Sequence, residues 1–341
     1  VLIFLLILAV LMAVYLTFDY ELFFGSETGT VKACMLDPTE KLLAISEKHA
    51  VPMTFFIDVG MLVKMDELKL QFTELASEYQ AIIQQIQRME SLGCAVQLHI
   101  HPHWENATYA NGKWSINVDG CYKLSDFSQA DASAIIEKYH HFLQQLVTQK
   151  VTSFRAGGWC IQPFTHVNET FKKLGITIDS SVFPGGKFES PHYAFDFTAV
   201  KRYTQPYRFD SDVCIADKAG YFTELPISSW HYSPLFYWRL YVLGRLFPTN
   251  HKMLGDGNFL AQPGRKKAVL TNFTWNHVSC DGYYASKLQR QFRFYQRKKS
   301  PFVVIAHPKG LTHFALKKIE QFVVKTKNVT EFLTVNQVVC S

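Results

Sequence analysis

The chain reads as an α/β fold built on a parallel sheet. Three observations carry that reading. Short runs rich in β-branched and aromatic residues recur along the sequence, as at 14–19, 52–59, 95–100 and 302–306, and such runs favour strands. Between them lie helical patterns with apolar residues three and four apart, the alternation of a parallel sheet covered by helices. The polar residues best suited to chemistry, Asp19, His99, Arg155, Asp179 and His307, fall at strand ends or just after them. In α/β barrels that is the face on which active sites are built.

Val14 to Asp19 is the first strand. Asp37-Pro38-Thr39-Glu40 predicts a helix start, with Asp37 as N-cap, Pro38 at the first position and Glu40 closing a capping box. That helix runs to about His49. Pro52 to Val59, with Met53, Phe55, Phe56 and Ile57, is a buried strand. Ile82, Ile83, Ile86 and Met89 form the apolar face of a helix over 80–92, which Gly93 ends. Ala95 to Ile100 is the third strand, and Pro102 stops it because proline lacks the N–H a central strand needs. Residues 105–127 read as a loop, and 129–147 as a long amphipathic helix. Short strands are expected at 153–156, 177–180, 223–227, 269–273 and 302–306. Helices are expected at about 164–174, 234–247, 281–297 and 312–326. No repeat and no linker rich in Pro, Gly or Ser divides the sequence. Residues 14–341 therefore read as one catalytic domain, with the irregular stretch 184–220 as an insertion shaping one rim.

Hydrophobic residues make up 48% of the 341 and charged residues 19%, a globular rather than disordered balance. The formal charge of +6 comes without the dense Lys/Arg stripe of a nucleic-acid binder. The basic run Arg290 to Lys299, interleaved with Phe292, Phe294 and Tyr295, reads as a solvated helix face, with an anionic lipid or nucleotide diphosphate as the alternative contact. Arg239 and Arg245 stand in an apolar field that reads as a packed helix, with an interfacial helix as the alternative. Seven cysteines with no CxxC spacing argue against a disulfide framework and a Cys-zinc site, and suit reduced thiols in a cytoplasmic protein. Residues 1–13 are apolar and lack the flanks of a secretory signal. They are read as an extension, either an upstream mis-start or a membrane anchor, so that membrane contact through residues 1–14 stays open.

Two clusters about eighty residues apart carry the chemistry. In Thr17-Phe18-Asp19-Tyr20-Glu21 the two carboxylates are spaced by two, as are the imidazoles in His99-Ile100-His101-Pro102-His103. On a strand, residues of equal parity share a face. Asp19 and Glu21 then enter one pocket with Tyr20 turned away, and two or three histidines join them. Carboxylate with imidazole suits Zn²⁺ or a neighbouring first-row metal.

With these residues assembled, the chain resembles the polysaccharide deacetylases of the NodB-homology type, carbohydrate esterase family 4, and among them the WbmS-like group linked to surface-polysaccharide synthesis. The resemblance spans about 14–307. It rests on the acidic turn Thr17 to Glu21, on His99 and His103 as a His-x-x-x-His motif, on Arg155-Ala156-Gly157-Gly158-Trp159 as an arginine loop, on Asp179-Ser180-Ser181, and on Ile305-Ala306-His307-Pro308. Glu224-Leu225-Pro226 also resembles a strand of that group. The commoner first motif has two adjacent aspartates, the second a metal ligand. Tyr20 stands at that position here, and Glu21 is the substitute. The arginine loop lacks the usual proline and tyrosine.

The resemblance implies a distorted (β/α) barrel of about seven strands. It implies a metal-dependent hydrolase that removes an N-acyl group, N-acetyl foremost, from an amino sugar or glycan. Glu21, His99 and His103 would hold the divalent metal, zinc foremost. Asp19 would be the general base, held ionised by Arg155. His307 would protonate the leaving amine, with Asp179 as a partner for its ring. Trp104 and Trp159 would stack on a sugar face, and His101 would line the pocket. Two alternatives stay open: an inactive carbohydrate-binding homologue, and another metal-dependent amidohydrolase or phosphoesterase barrel.

Overall fold

The computed structural model describes residues 12–340. The apolar extension expected over 1–13 lies outside them except for Met12 and Ala13, which open the first strand. In chain order the strands are β1 (Met12–Tyr20), β2 (Thr54–Asp58), β3 (Ala95–Ile100), the hairpin β4 (Thr108–Ala110) and β5 (Lys113–Ser115), β6 (Ser153–Ala156) and β7 (Ile178–Asp179). There follow the hairpin β8 (Lys187–Glu189) and β9 (Ala194–Asp196), β10 (Tyr207–Phe209), β11 (Phe222–Glu224), the pair β12 (Ser229–Tyr232) and β13 (Thr274–His277), β14 (Phe302–Ala306) and β15 (Thr330–Phe332). The helices are α1 (Asp37–His49), α2 (Val59–Leu68), α3 (Thr73–Ser91), α4 (Gln129–Leu146), α5 (Asn168–Leu174), α6 (Pro234–Leu246), α7 (Pro248–His251), α8 (Arg265–Thr271), α9 (Leu288–Arg297) and α10 (His313–Thr326).

One nine-stranded sheet runs β10-β11-β7-β6-β3-β2-β1-β14, with β15 beside the start of β1. Every pair in it is parallel except β10 with β11. The parallel path from β11 to β14 thus counts seven strands, as the resemblance implied. Irregular backbone completes the ring. Ile227 N–H donates to Val182 C=O at 2.8 Å and Ser228 N–H to Val303 C=O at 3.0 Å, while Ile305 N–H donates to Val278 C=O at 3.1 Å. This gap filled by loop backbone is the distortion of the barrel.

The period-two pattern of β1 explains what the barrel encloses. Phe18 and Tyr20 face outward under the helices, where Phe18 stacks on Phe55 with centroids 5.5 Å apart and Tyr20 Oη donates to Gln85 Oε1 of α3 at 2.9 Å. Burying each such ring contributes about 1.5–3 kcal/mol relative to exposure. Thr17 and Asp19 face inward, and Arg155 reaches both from β6. In register, Asp58, His99 and Arg155 stand side by side on β2, β3 and β6, so charged and polar residues converge at the carboxyl ends.

Four local expectations change. Residues 269–273 are not a strand. They overlap α8, whose Val269 is buried in a satellite cluster with Tyr232, Phe236 and Tyr237, and the strand is β13 just after it. A short apolar run does not distinguish the two by itself. Asp37 is not an N-cap: a π-helical turn over Lys32–Leu36 runs directly into α1, and Leu36 holds the cap position in helical conformation. The segment before the expected helix at 80 is already helical, with α2 following β2 and α3 starting at Thr73. The loop 105–127 contains the β4–β5 hairpin. All seven cysteines are free. Among the described residues, no helix is long and apolar enough to cross a membrane.

Candidate active site

Asp19 ends β1 in the barrel mouth, 4% exposed, and Arg155 is fully buried beside it. One guanidinium nitrogen of Arg155 donates to Asp19 Oδ1 at 2.7 Å and to Thr17 Oγ1 at 2.9 Å. Its Nε donates to Ser180 C=O at 2.8 Å and its other terminal nitrogen to Ser180 Oγ at 3.1 Å. The plane lies 4.2 Å from the Phe56 ring centroid. A planar fork held on every side fixes Asp19 in place.

Glu21 follows the strand. Its Oε2 lies 3.2 Å from His99 Nε2 and 2.8 Å from His101 Nε2, and these three donor atoms fall within 4.8 Å of one another. His99 Nδ1–H donates to the Arg155 carbonyl at 2.7 Å, which turns Nε2 toward the cluster. Burial favours the neutral ring of His99, yet Asp19, Glu21 and Asp58 outweigh it and lift its pKa to about 9. At His101 burial wins over Glu21, and the pKa falls to about 4. Burial would raise Glu21, but Lys309, His101 and His99 hold its carboxyl well below the usual range.

His103 does not join this cluster, contrary to the expected ligand set. β3 ends at Ile100 and a 3₁₀ turn begins at Pro102. The alternation that carries His99 to His101 therefore stops one step short of His103. The His103 ring packs between Phe24 (4.6 Å) and Tyr122 (5.9 Å), with both nitrogens buried and unpartnered. Gly157 of the arginine loop makes room for the residue that does join, because a Cβ there would lie 2.6 Å from His101 Nδ1.

His307, just after β14, brings Nε2 to 3.8 Å from Asp19 Oδ2 and 3.7 Å from Glu21 Oε1. Its partner is Asp281, not Asp179. Asp281 Oδ2 accepts from Nδ1–H at 2.9 Å and Oδ1 from the His307 backbone N–H at 2.8 Å. Burial lowers the His307 pKa, but Asp281, Asp19 and Glu21 outweigh it and raise it above the ordinary value. Asp179 lies behind Arg155. It accepts from Ser181 N–H and Oγ–H at 3.0 and 2.8 Å, and burial raises its pKa. The buried Glu224 beside it is raised strongly, by burial and then by Asp179.

Of the expected sugar platforms, Trp104 is enclosed. It is fully buried, and its Nε1–H donates to Asp58 Oδ2 at 2.5 Å, so neither ring face is open to a substrate. Burial lifts the Asp58 pKa to about 8. Trp159 is partly exposed, on the arginine loop with φ 61°, and its ring centroid lies 4.9 Å from that of His277 and 5.6 Å from that of Phe183.

Two charged groups of the site had no signal in the sequence. Lys309, two residues beyond His307, is buried with Nζ 2.9 Å from Glu21 Oε1, and it also donates to the Leu22 carbonyl. Asp281 read only as a helix start. Both reach the site through chain reversals that periodicity does not describe.

A carboxylate oxygen and two imidazole nitrogens are a donor set for a first-row divalent ion, zinc included. The residues fit such an ion. A buried Nε2 lone pair 3.2 Å from a carboxylate oxygen requires a proton or a cation between them. Lys309 on Oε1 leaves Oε2 to the histidines.

Neither a family profile nor a curated protein sequence matches the chain. Solved structures do. A Mycobacterium smegmatis protein assigned as a polysaccharide deacetylase is 14% identical, with 95% of this chain and 87% of that one covered at a TM-score of 0.51. The 4-alpha-glucanotransferase of Thermococcus litoralis is 11% identical, with 96% of this chain and 40% of that one covered at a TM-score of 0.50. The chain folds as the distorted (β/α) barrel that the resemblance implied.

Proposed function

We propose that this chain is a metal-dependent hydrolase that removes an N-acyl group, N-acetyl foremost, from an amino sugar or glycan. The observation that carries the reading is the convergence of an Arg155-held Asp19, the Glu21–His99–His101 cluster and the Asp281–His307 pair at the carboxyl ends of one parallel sheet. Base, metal donors and acid then stand around one cleft.

Glu21, His99 and His101 would hold the ion. Bound there, it supplies Lewis-acid polarisation of the acyl carbonyl and a more acidic water. Asp19, with one oxygen held by Arg155, takes the proton of the attacking water on its other oxygen. His307 is loaded with a proton, as its raised pKa favours, and gives it from Nε2 to the leaving nitrogen, while Asp281 holds Nδ1–H and keeps the ring oriented. One water is consumed, the C–N bond breaks, the water oxygen leaves in the carboxylate, and the amine keeps the proton from His307. Trp159 offers the open aromatic surface beside this cleft for a sugar ring.

A second reading has its own support. Lys309 already places a cation on Glu21, as a site that binds glycans without hydrolysing them would allow. Metal content by mass spectrometry, with acetate release from N-acetylated amino sugars, separates the two. About one ion per chain, lost together with activity in His99→Ala/His101→Ala, is the expected result. A wild type that stays metal-free after reconstitution overturns it in favour of the binding protein.

A further inference from the structure

α6 turns the wrong face outward for a packed helix. Leu235, Trp238, Val242 and Leu246 recur at spacings of three, four and four, one stripe along a helix, and their exposures are 58, 53, 45 and 67%. Phe247, just past the helix end, is 55% exposed as well. The opposite face is the anchored one. Phe236 and Tyr237 are buried there against Tyr232 and Val269, while from the stripe side Trp238 Nε1–H donates to the Leu270 carbonyl at 3.2 Å and ties α6 to α8. Solvent-facing apolar stripes of this size on a soluble surface mark a contact.

The charge around the stripe says what kind. From Pro234 to Asn272 the chain carries six Lys and Arg residues, Arg239, Arg245, Lys252, Arg265, Lys266 and Lys267, against one acid, Asp256. All six are exposed, and none forms an ion pair among the described residues. Asp256 is engaged elsewhere, accepting from Thr30 N–H at 2.7 Å and Thr30 Oγ1–H at 2.9 Å. Lys266 lies over the Tyr241 ring at 5.3 Å, so the basic end of α8 stands beside the middle of α6. An apolar stripe with tryptophan, flanked by unpaired cations while the segment's one acid is held by Thr30, complements an anionic bilayer surface, where rings and aliphatic chains enter the acyl boundary and the cations meet the headgroups. We propose that the α6–α8 face docks this protein onto membranes rich in anionic lipid. The proposal does not depend on the chemistry of the cleft.

The test reads the stripe itself. Trp238 is the exposed residue among the six tryptophans, so its quenching by vesicles with brominated acyl chains reports insertion of α6 directly. The full chain, with residues 1–11 unchanged in every variant, is mixed with phosphatidylglycerol/phosphatidylcholine vesicles and with phosphatidylcholine alone. The expected results are quenching on the anionic vesicles, loss of most of it in Trp238→Phe, and weakening of about tenfold or more in Arg239→Glu/Arg245→Glu/Lys266→Glu/Lys267→Glu and on the neutral vesicles. Circular dichroism checks that each variant is folded. No quenching in the wild type overturns the proposal, as does quenching that survives Trp238→Phe or ignores the charge reversal. A dimer by light scattering that Trp238→Asp converts to monomer, without vesicle quenching, overturns it in favour of a second copy of this chain.

Discussion

Arg155→Met isolates the group on which the site is built. Arg155 is fully buried and Asp19 is 4% exposed, so solvent screens their 2.7 Å pair very little. Methionine retains apolar packing over Phe56 but removes every donor that Thr17, Asp19 and Ser180 receive from the guanidinium. The Asp19 carboxylate is then left buried, with Glu21 sharing its side of the His307 ring. Breaking one side of a buried pair costs about 3–5 kcal/mol. Most of that is the stranded charge, so Asp19→Asn in the same chain recovers part of it. The double-mutant cycle is expected to give a coupling of about 2 kcal/mol or more. Urea unfolding followed by circular dichroism, with unchanged m-values, measures it. Single costs that add within about 0.5 kcal/mol would refute the argument that Arg155 is paired energetically with Asp19. Metal uptake is expected to survive Arg155→Met, because His99 is oriented by the backbone carbonyl of residue 155 rather than by its side chain.

Three further outcomes follow from the same geometry. Gly157→Ala places a Cβ 2.6 Å from His101 Nδ1 and 2.6 Å from the Ile100 carbonyl oxygen at the end of β3, so metal affinity should fall about tenfold to a hundredfold, while His103→Ala should leave stoichiometry unchanged; chelator competition measures both. In Asp281→Asn the His307 pKa loses its largest raising cause, so the alkaline limb of kcat should move to lower pH and the rate above it should drop about a hundredfold; a limb that stays in place would assign the proton donor elsewhere. In the metal-free protein the His99 pKa is raised to about 9, so its stabilising contribution is complete below the unfolded value near 6.5 and is lost as pH rises through 9. A metal must displace that proton, so its affinity should climb with pH and level off near 9, and a flat profile in competition titrations would contradict it.

The strand-borne half of the site was legible in the sequence. Asp19 and Glu21 share a face, Tyr20 turns outward, and His99 and Arg155 end neighbouring strands, because the period of two along a strand is a local property that residue spacing records. The same rule misled one step later. Pro102 ends β3, and with it the alternation, so of the two or three histidines that spacing admitted the backbone brings in His101, and the His103 that the family resemblance implied stays out. Trp104 rides the same turn into the core and hydrogen-bonds Asp58 instead of facing a sugar. What remained needed the closed barrel. Asp281 meets His307, and Lys309 meets Glu21, only because loops from distant parts of the chain meet over the barrel mouth, and a partner set by chain reversal leaves no periodicity to read. The outward face of α6 belongs to the same class. Its residues predicted a helix, but only packing against α8 decided which side was left to solvent.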